Sequence, residues 1–203
     1  MHGKRMRRTA MALVLLAGSA LAASAQETLT VGANIGNVPW EFQDDAGQFV
    51  GFEIDLVAAV ADRMGAEVET VNIPFNGLFS AVQSGRIDIA TSSITITDER
   101  LESVTFAQPY YDSDQSLTAL AEGPKSLAEM KDKVVGVDTG STGDMWATEN
   151  QAEYGFADIR RYEGLAPAML DLQAGRIDGY VSDIPALQYY VKDKPQLAVV
   201  ERI

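Results

Sequence analysis

The sequence predicts an α/β fold of two similar lobes, each a sheet flanked by helices, facing one another across a cleft. Three observations carry that expectation. Gln83-Ser84-Gly85-Arg86-Ile87-Asp88 recurs as Gln173-Ala174-Gly175-Arg176-Ile177-Asp178, 90 positions later (173 − 83 = 90). Around each copy, apolar runs of strand length alternate with runs of helical periodicity, the pattern of parallel sheets covered by helices. Each copy also leads into a short apolar segment ending in small polar residues, Ser92-Ser93 in the first and Ser182-Asp183 in the second. A glycine closing a helix, followed by a buried strand, puts these pairs at strand C-terminal ends, where open α/β folds bind ligands.

In order, Thr28 to Ala33 reads as a buried strand and Gly51 to Met64 as a helix with an apolar face of Ile54, Val57, Ala58 and Ala61, stopped by Gly65. Glu67 to Ile73 alternates like a strand, Leu78 to Ser84 is a short helix, and Ile87 to Thr91 is a strand. The second half repeats the order: strand Lys133 to Val137, helix Asp144 to Tyr154, strand Asp158 to Tyr162, helix Ala166 to Ala174, strand Ile177 to Val181. Between the halves lies Val104 to Leu120, in which Phe106-Ala107-Gln108-Pro109-Tyr110-Tyr111 reads as an extended connector, because proline is unsuited to a central strand. Asp193-Lys194-Pro195 makes a turn before a last strand from Leu197 to Ile203.

The first 25 residues read as a secretory leader: Lys4, Arg5, Arg7 and Arg8, an apolar run from Ala10 to Ala22, and Ala23-Ser24-Ala25 as a cleavage site. The apolar run is shorter than the roughly 20 residues of a membrane span. Without the leader the chain keeps 203 − 25 = 178 residues and 16 − 4 = 12 Lys and Arg against 29 Asp and Glu, a formal charge of −17 that disfavours nucleic acid. The one histidine, His2, is lost with the leader and there is no cysteine, which excludes a His base, a Cys nucleophile, a His/Cys metal site and a lipidated Cys. A freely soluble exported monomer without cofactor or metal is expected.

The segment Ser92-Ser93-Ile94-Thr95-Ile96-Thr97-Asp98-Glu99-Arg100 puts a guanidinium among hydroxyls at a helix start capped by Thr97, a combination suited to a carboxylate. In the second half, Gly136 to Gly143 joins a strand to a helix but lacks the lysine of a phosphate loop. Its Ser141 and Thr142 N–H groups are candidates to grip the same carboxylate. Asp183, at the strand end equivalent to Ser93, suits an ammonium group; its alternative role is to cap a helix beginning near Pro185.

A carboxylate held by Arg100 and an ammonium held by Asp183 describe the backbone end of a free α-amino acid. With Thr95-Ile96-Thr97-Asp98-Glu99-Arg100 followed by Phe106-Ala107-Gln108-Pro109-Tyr110-Tyr111, residues 27–203 resemble the periplasmic amino-acid-binding proteins of ABC importers, the family of the lysine/arginine/ornithine, histidine and glutamine binders. The resemblance implies the periplasmic-binding-protein fold, with lobe 1 at 26–110 and lobe 2 at 111–203, a ligand in the inter-lobe cleft, and delivery to an inner-membrane permease. It puts Arg100, Thr95, Ser93 and Thr142 on the α-carboxylate and Asp183, Ser92 and Thr95 on the α-ammonium. Asn34, Asn37, Glu53, Asp138 and Gly143 match positions near the ligand side chain. Phe75 matches an aromatic stacked on that side chain, or is a core phenylalanine; Asn37 stands where relatives carry Tyr or Phe. The family's last segment, which re-crosses the hinge and completes lobe 1, is expected beyond Ile203. Two other readings share the fold: a secreted dehydratase acting on prephenate or arogenate with Glu53 or Asp138 as acid, and a ligand-presenting partner of a membrane sensor.

Overall fold

The structure, a computed structural model, describes residues 27–203; the leader assigned to residues 1–25 lies outside them. The first lobe comprises β1 (Thr28–Ala33), a hairpin of β2 (Phe42–Gln43) and β3 (Phe49–Val50), α1 (Phe52–Met64), β4 (Glu67–Asn72), α2 (Phe75–Gln83), β5 (Ile89–Ala90) and the single-turn α3 (Asp98–Leu101). The second comprises β6 (Gln115–Leu120), a 3-10 turn (Leu127–Met130), β7 (Val134–Asp138), α4 (Thr142–Tyr154), β8 (Asp158–Tyr162), α5 (Leu165–Gln173), β9 (Gly179–Asp183), α6 (Ile184–Val191) and β10 (Leu197–Arg202). Sheet order is β4-β1-β5 in the first lobe, all parallel, and β10-β6-β9-β7-β8 in the second.

The repeated hexapeptide folds the same way twice. Gly85 and Gly175 take left-handed φ values of 69° and 67° just past the ends of α2 and α5, as a side chain with a Cβ resists doing. Ile87 and Ile177, both buried, drive into the space left by a missing side chain on the neighbouring strand: a Cβ on Gly32 would stand 2.5 Å from Ile87 Cδ1, and one on Gly136 2.6 Å from Ile177 Cδ1. Asp88 then donates its N–H to Thr30 O and accepts Thr30 N–H on its carboxylate, each at 2.8 Å. Asp178 does the same to Val134 at 2.8 and 2.9 Å. The aspartate thus fixes which residue of the central strand the incoming strand pairs with.

The second sheet is mixed, not parallel as the alternation of elements suggests. β7 runs parallel to β8 and β9, whereas β6 is antiparallel to both β9 and β10. β6 arrives from the connector without a crossover helix and inserts between β9 and β10, which α6 links. α2 starts at Phe75, three residues before the expected Leu78, directly after Pro74, which precedes it without a side-chain cap. α4 starts at Thr142 with Ser141 as its cap, accepting Asp144 N–H at 3.1 Å.

The connector is anchored to the first lobe by aromatic rings. Tyr111 packs edge-on against Trp40 with centroids 4.9 Å apart, and Tyr110 lies 5.9 Å from Phe52. Entry into α1 is possible only for glycine at position 51, with φ 130° and a hypothetical Cβ 2.3 Å from Trp40 O.

The isoleucine wedges predict a coupled pair of substitutions. Ile87→Ala and Ile177→Ala should each cost about 2–4 kcal/mol in urea unfolding, the range for an emptied core site. Gly136→Ala should also destabilise, but less when combined with Ile177→Val, which removes the methyl it strikes. Strict additivity of the two changes would refute the wedge.

Candidate ligand-binding cleft

The strand C-terminal ends of both sheets open on one cavity of about 80 Å³, room for roughly half a dozen water-sized groups. Asn34, Asn37, Phe75, Ser92, Ser93, Thr95 and Arg100 line it from the first lobe, and Asp138, Ser141, Thr142 and Asp183 from the second. Eleven of the thirteen residues singled out in the sequence therefore meet here, Glu53 and Gly143 being the exceptions.

Arg100 is the centre of the arrangement. Thr97 caps its one-turn helix, accepting Arg100 N–H at 3.2 Å. One guanidinium nitrogen donates to Thr95 O at 2.7 Å and the other crosses the cleft to Gly140 O at 3.1 Å. The rings of Phe75 and Phe79 flank the cation at 5.5 and 5.1 Å. Burial pulls the guanidinium below its ordinary pKa, while the charges of Glu99 and Asp183 act in the opposite direction. Phe75 accordingly flanks the arginine, lines the cavity and packs on the core of Ile73, Leu78 and Ile87.

Asp183 is the first residue before α6, yet its side chain makes no capping bond. Its carboxylate accepts from Gln115 Nε2, which also donates to Thr142 Oγ1 at 3.1 Å. Burial pushes Asp183 up to about 6, with Gln115 and Arg100 opposing. Asp138 is likewise pushed up to about 6 by burial, although it accepts Gly164 N–H at 3.1 Å. The Thr95 and Thr142 hydroxyls stand 3.4 Å apart across the cleft.

Glu53 and Gly143 sit differently from the expectation, and Ser92 lines the cavity with its hydroxyl already engaged. Glu53 does not reach the cleft: it is fully buried behind the Ser92-Ser93 turn, where Thr91 and Tyr110 hydroxyls and Ser93 N–H bind its carboxylate. The first turn of α1 points it inward, not toward a ligand side chain. The Ser92 hydroxyl donates to Glu41 Oε1 at 2.7 Å and accepts Asn34 N–H at 3.3 Å, so its proton is already committed. Gly143 packs under the start of α4, where a Cβ would meet Val181 O at 2.9 Å.

The sequence reading missed Gln115 and Glu163, both of which line the cavity. Gln115 opens a strand that was read as part of the connector. Glu163 follows β8 and precedes Gly164, whose φ of 110° turns the chain into α5 at the cleft wall; that strand-Gly-helix junction was a usable signal.

Known proteins resemble this chain in sequence and in fold. The chain is 32% identical over 186 residues to the Escherichia coli putative ABC transporter arginine-binding protein 2, covering 92% of this chain and 75% of that one. It is 34% identical over 184 residues to the lysine/arginine/ornithine-binding periplasmic protein of the same organism, covering 88% and 70%. The solved structure of an ancestral arginine-binding protein bound to arginine superposes with a TM-score of 0.82 at 33% identity, covering 88% of this chain and 80% of that one. Residues 29–197 match the model of the bacterial extracellular solute-binding proteins, family 3, and the chain belongs to that family.

Proposed function

We propose that this protein captures a free L-amino acid with a basic or neutral polar side chain in the periplasm, closes its lobes on it, and delivers it to the permease of an ABC importer. The observation that carries the reading is a guanidinium on one lobe and a carboxylate on the other lining a single cavity. Arg100, with the Thr95, Ser93, Ser141 and Thr142 groups, takes the ligand carboxylate; Asp183 takes the ammonium. Asn34, Asn37, Asp138 and Glu163 surround the remaining space with acceptors and negative charge, and Arg100 is the only cationic side chain lining it among the described residues. A basic side chain finds partners there, whereas a large apolar one would bury those groups unpaired. The names of the arginine and lysine/arginine/ornithine binders support a basic ligand, with arginine the first to test.

Because ligand contacts lie on both lobes, binding favours the closed arrangement by its differential affinity for it, a hinge motion about the connector. No bond is made or broken.

Calorimetry of the mature protein against arginine, lysine, ornithine, histidine, glutamine, leucine and phenylalanine tests the ligand class; tightest binding of leucine or phenylalanine would overturn it. Arg100→Ala and Asp183→Ala should each weaken binding by about 2–4 kcal/mol, since each strands a desolvated charge on the ligand. Arginine amide should lose affinity comparably on the wild type.

Asp183 and Asp138 give opposite pH signs to affinity and stability. Asp183, with its carboxyl near 6, loses its charge as pH falls through about 6, so affinity should drop on the acid side of that value. In the free protein both carboxyls are raised by burial, so their contribution to stability is complete below the ordinary aspartate range and is lost as pH rises through about 6. Melting temperature without ligand should therefore gain from pH 7 to pH 5 in proportion to these two groups, and Asp138→Asn with Asp183→Asn should remove that gain. Affinity that rises toward acid pH would contradict the assignment of Asp183.

A further inference from the structure

Behind the Ser92-Ser93 turn lie two fully buried glutamates, Glu41 and Glu53. Backbone bonding keeps them together: Glu53 N–H donates to Trp40 O at 2.9 Å at the start of α1. One hydrogen-bonded network joins their carboxylates: Asn37 donates to Glu41 Oε1 and to Ser93 Oγ, and Ser93 N–H donates to Glu53 Oε1. Two neighbouring carboxylates cannot both stay ionised in a dry site with no cation paired to them among the described residues, so one of them carries a proton.

The surroundings decide which. Glu53 is ringed by donors: Ser93 N–H at 2.7 Å and the Tyr110 hydroxyl on Oε1, and the Thr91 hydroxyl at 3.0 Å on Oε2. It also occupies the first turn of α1, where the helix dipole favours a negative charge. On Glu41, Oε1 accepts from Ser92 at 2.7 Å and Asn37 at 3.2 Å, whereas buried Oε2 has no donor. A proton on Glu41 Oε2 takes the charge off the oxygen that has no donor and leaves it on Glu53, where the donors are.

We infer that Glu41 and Glu53 form a one-proton acid pair, Glu41 neutral and Glu53 anionic, that positions the ligand-binding turn and ties it to the inter-lobe connector. Ser93 holds φ at 44°, a left-handed value uncommon for a residue other than glycine. It is kept there by its N–H on Glu53 and by Asn37, which donates to Ser93 Oγ at 2.9 Å while its amide also bonds Glu41. Tyr110 brings the connector to the same carboxylate. The titratable groups facing the pair are Tyr110, pushed up by burial and then by the charge of Glu53, and Asp183 across the cleft, raised in part by Glu53. Burial and the neighbouring Glu53 carboxylate also hold Glu41 well above the usual carboxylate range.

The role in binding rests on the proposed function, so the test has one arm that does not need a ligand. In infrared difference spectra at about pH 8.5, where Asp138 and Asp183 are ionised, the wild type should show the carbonyl band of a protonated carboxylic acid and Glu41→Gln should lack it. Absence of that band in the wild type, or its survival in Glu41→Gln, overturns the shared proton whatever the protein binds. In arginine titrations, Glu41→Ala should lower affinity at least about tenfold by removing the acceptor that Ser92 and Asn37 share and the proton that Glu41 supplies to the pair. Glu41→Gln should recover most of the loss, because an amide accepts on one side and donates on the other, as the neutral acid does. Glu53→Gln should not recover what Glu53→Ala loses, because its NH2 faces donors. Equal rescue at both positions would overturn the assignment of proton and charge. Should the Glu53 variants fail to fold, the infrared band and the Glu41 rescue still decide the matter. Failure of the wild type to bind any amino acid, with the band present, would sink the functional reading and leave the pair standing.

Discussion

Each lobe depends on an aspartate that exchanges two hydrogen bonds with one residue of the central strand. Asp88 on Thr30 and Asp178 on Val134 set the register of the strand that follows, and a slip of one residue would turn every side chain of β5 or β9 to the opposite face. The cleft residues follow within a few positions of these anchors. Ser92 and Ser93 lie four and five residues past Asp88; Ser182 and Asp183 lie four and five past Asp178. The same short unit, used twice, thus aims two ligand-facing ends at one space, and the isoleucine–glycine contact beside each anchor keeps the helix tight enough on the strand for the aspartate to reach.

On this frame the electrostatics of the cleft are asymmetric by lobe. The chain carries a formal charge of −13, yet the first lobe presents a buried cation, Arg100, and the second presents Asp138, Glu163 and Asp183. Arg100 spends two of its donors on the Thr95 and Gly140 carbonyls, one on each lobe, which fixes the plane of the guanidinium without neutralising it. The flanking phenylalanine rings exclude water and raise the value of the remaining donors for an incoming anion. Asp183 is held differently: its hydrogen-bond partner is the neutral amide of Gln115, which orients the carboxylate without forming an ion pair with it.

Much of this was legible in the sequence because it depends on local signals. The hexapeptide repeat, the Thr97 cap of Arg100, the Gly65 stop and the connector around Pro109 are all set by residues within a few positions of each other, and the structure has them where the spacing puts them. Glu53 was misplaced because what determines its orientation is remote: Thr91, Ser93 and Tyr110 lie 38 to 57 positions away. Read alone, an acid in the first turn of a helix looks like dipole stabilisation at the surface. Here it has that role and is buried as well. The mixed order of the second sheet was hidden for a related reason, since the antiparallel insertion of β6 is decided by where the connector delivers the chain and not by any pattern within Gln115–Leu120.

The network behind Ser92 and Ser93 changes what closure of the lobes means physically. The connector is not a free tether: Tyr111 is packed on Trp40, and Tyr110 shares a carboxylate with the backbone of the turn that faces the cleft. Motion of the connector and the geometry of Ser93 are therefore joined through Glu53 within one hydrogen-bond reach. A ligand bridging Arg100 and Asp183, as proposed, would work against lobe opening, and the connector would couple that restraint to the turn. In such an arrangement affinity and closure draw on one free energy, and substitutions remote from the ligand alter binding by changing how much of it is spent on holding the turn.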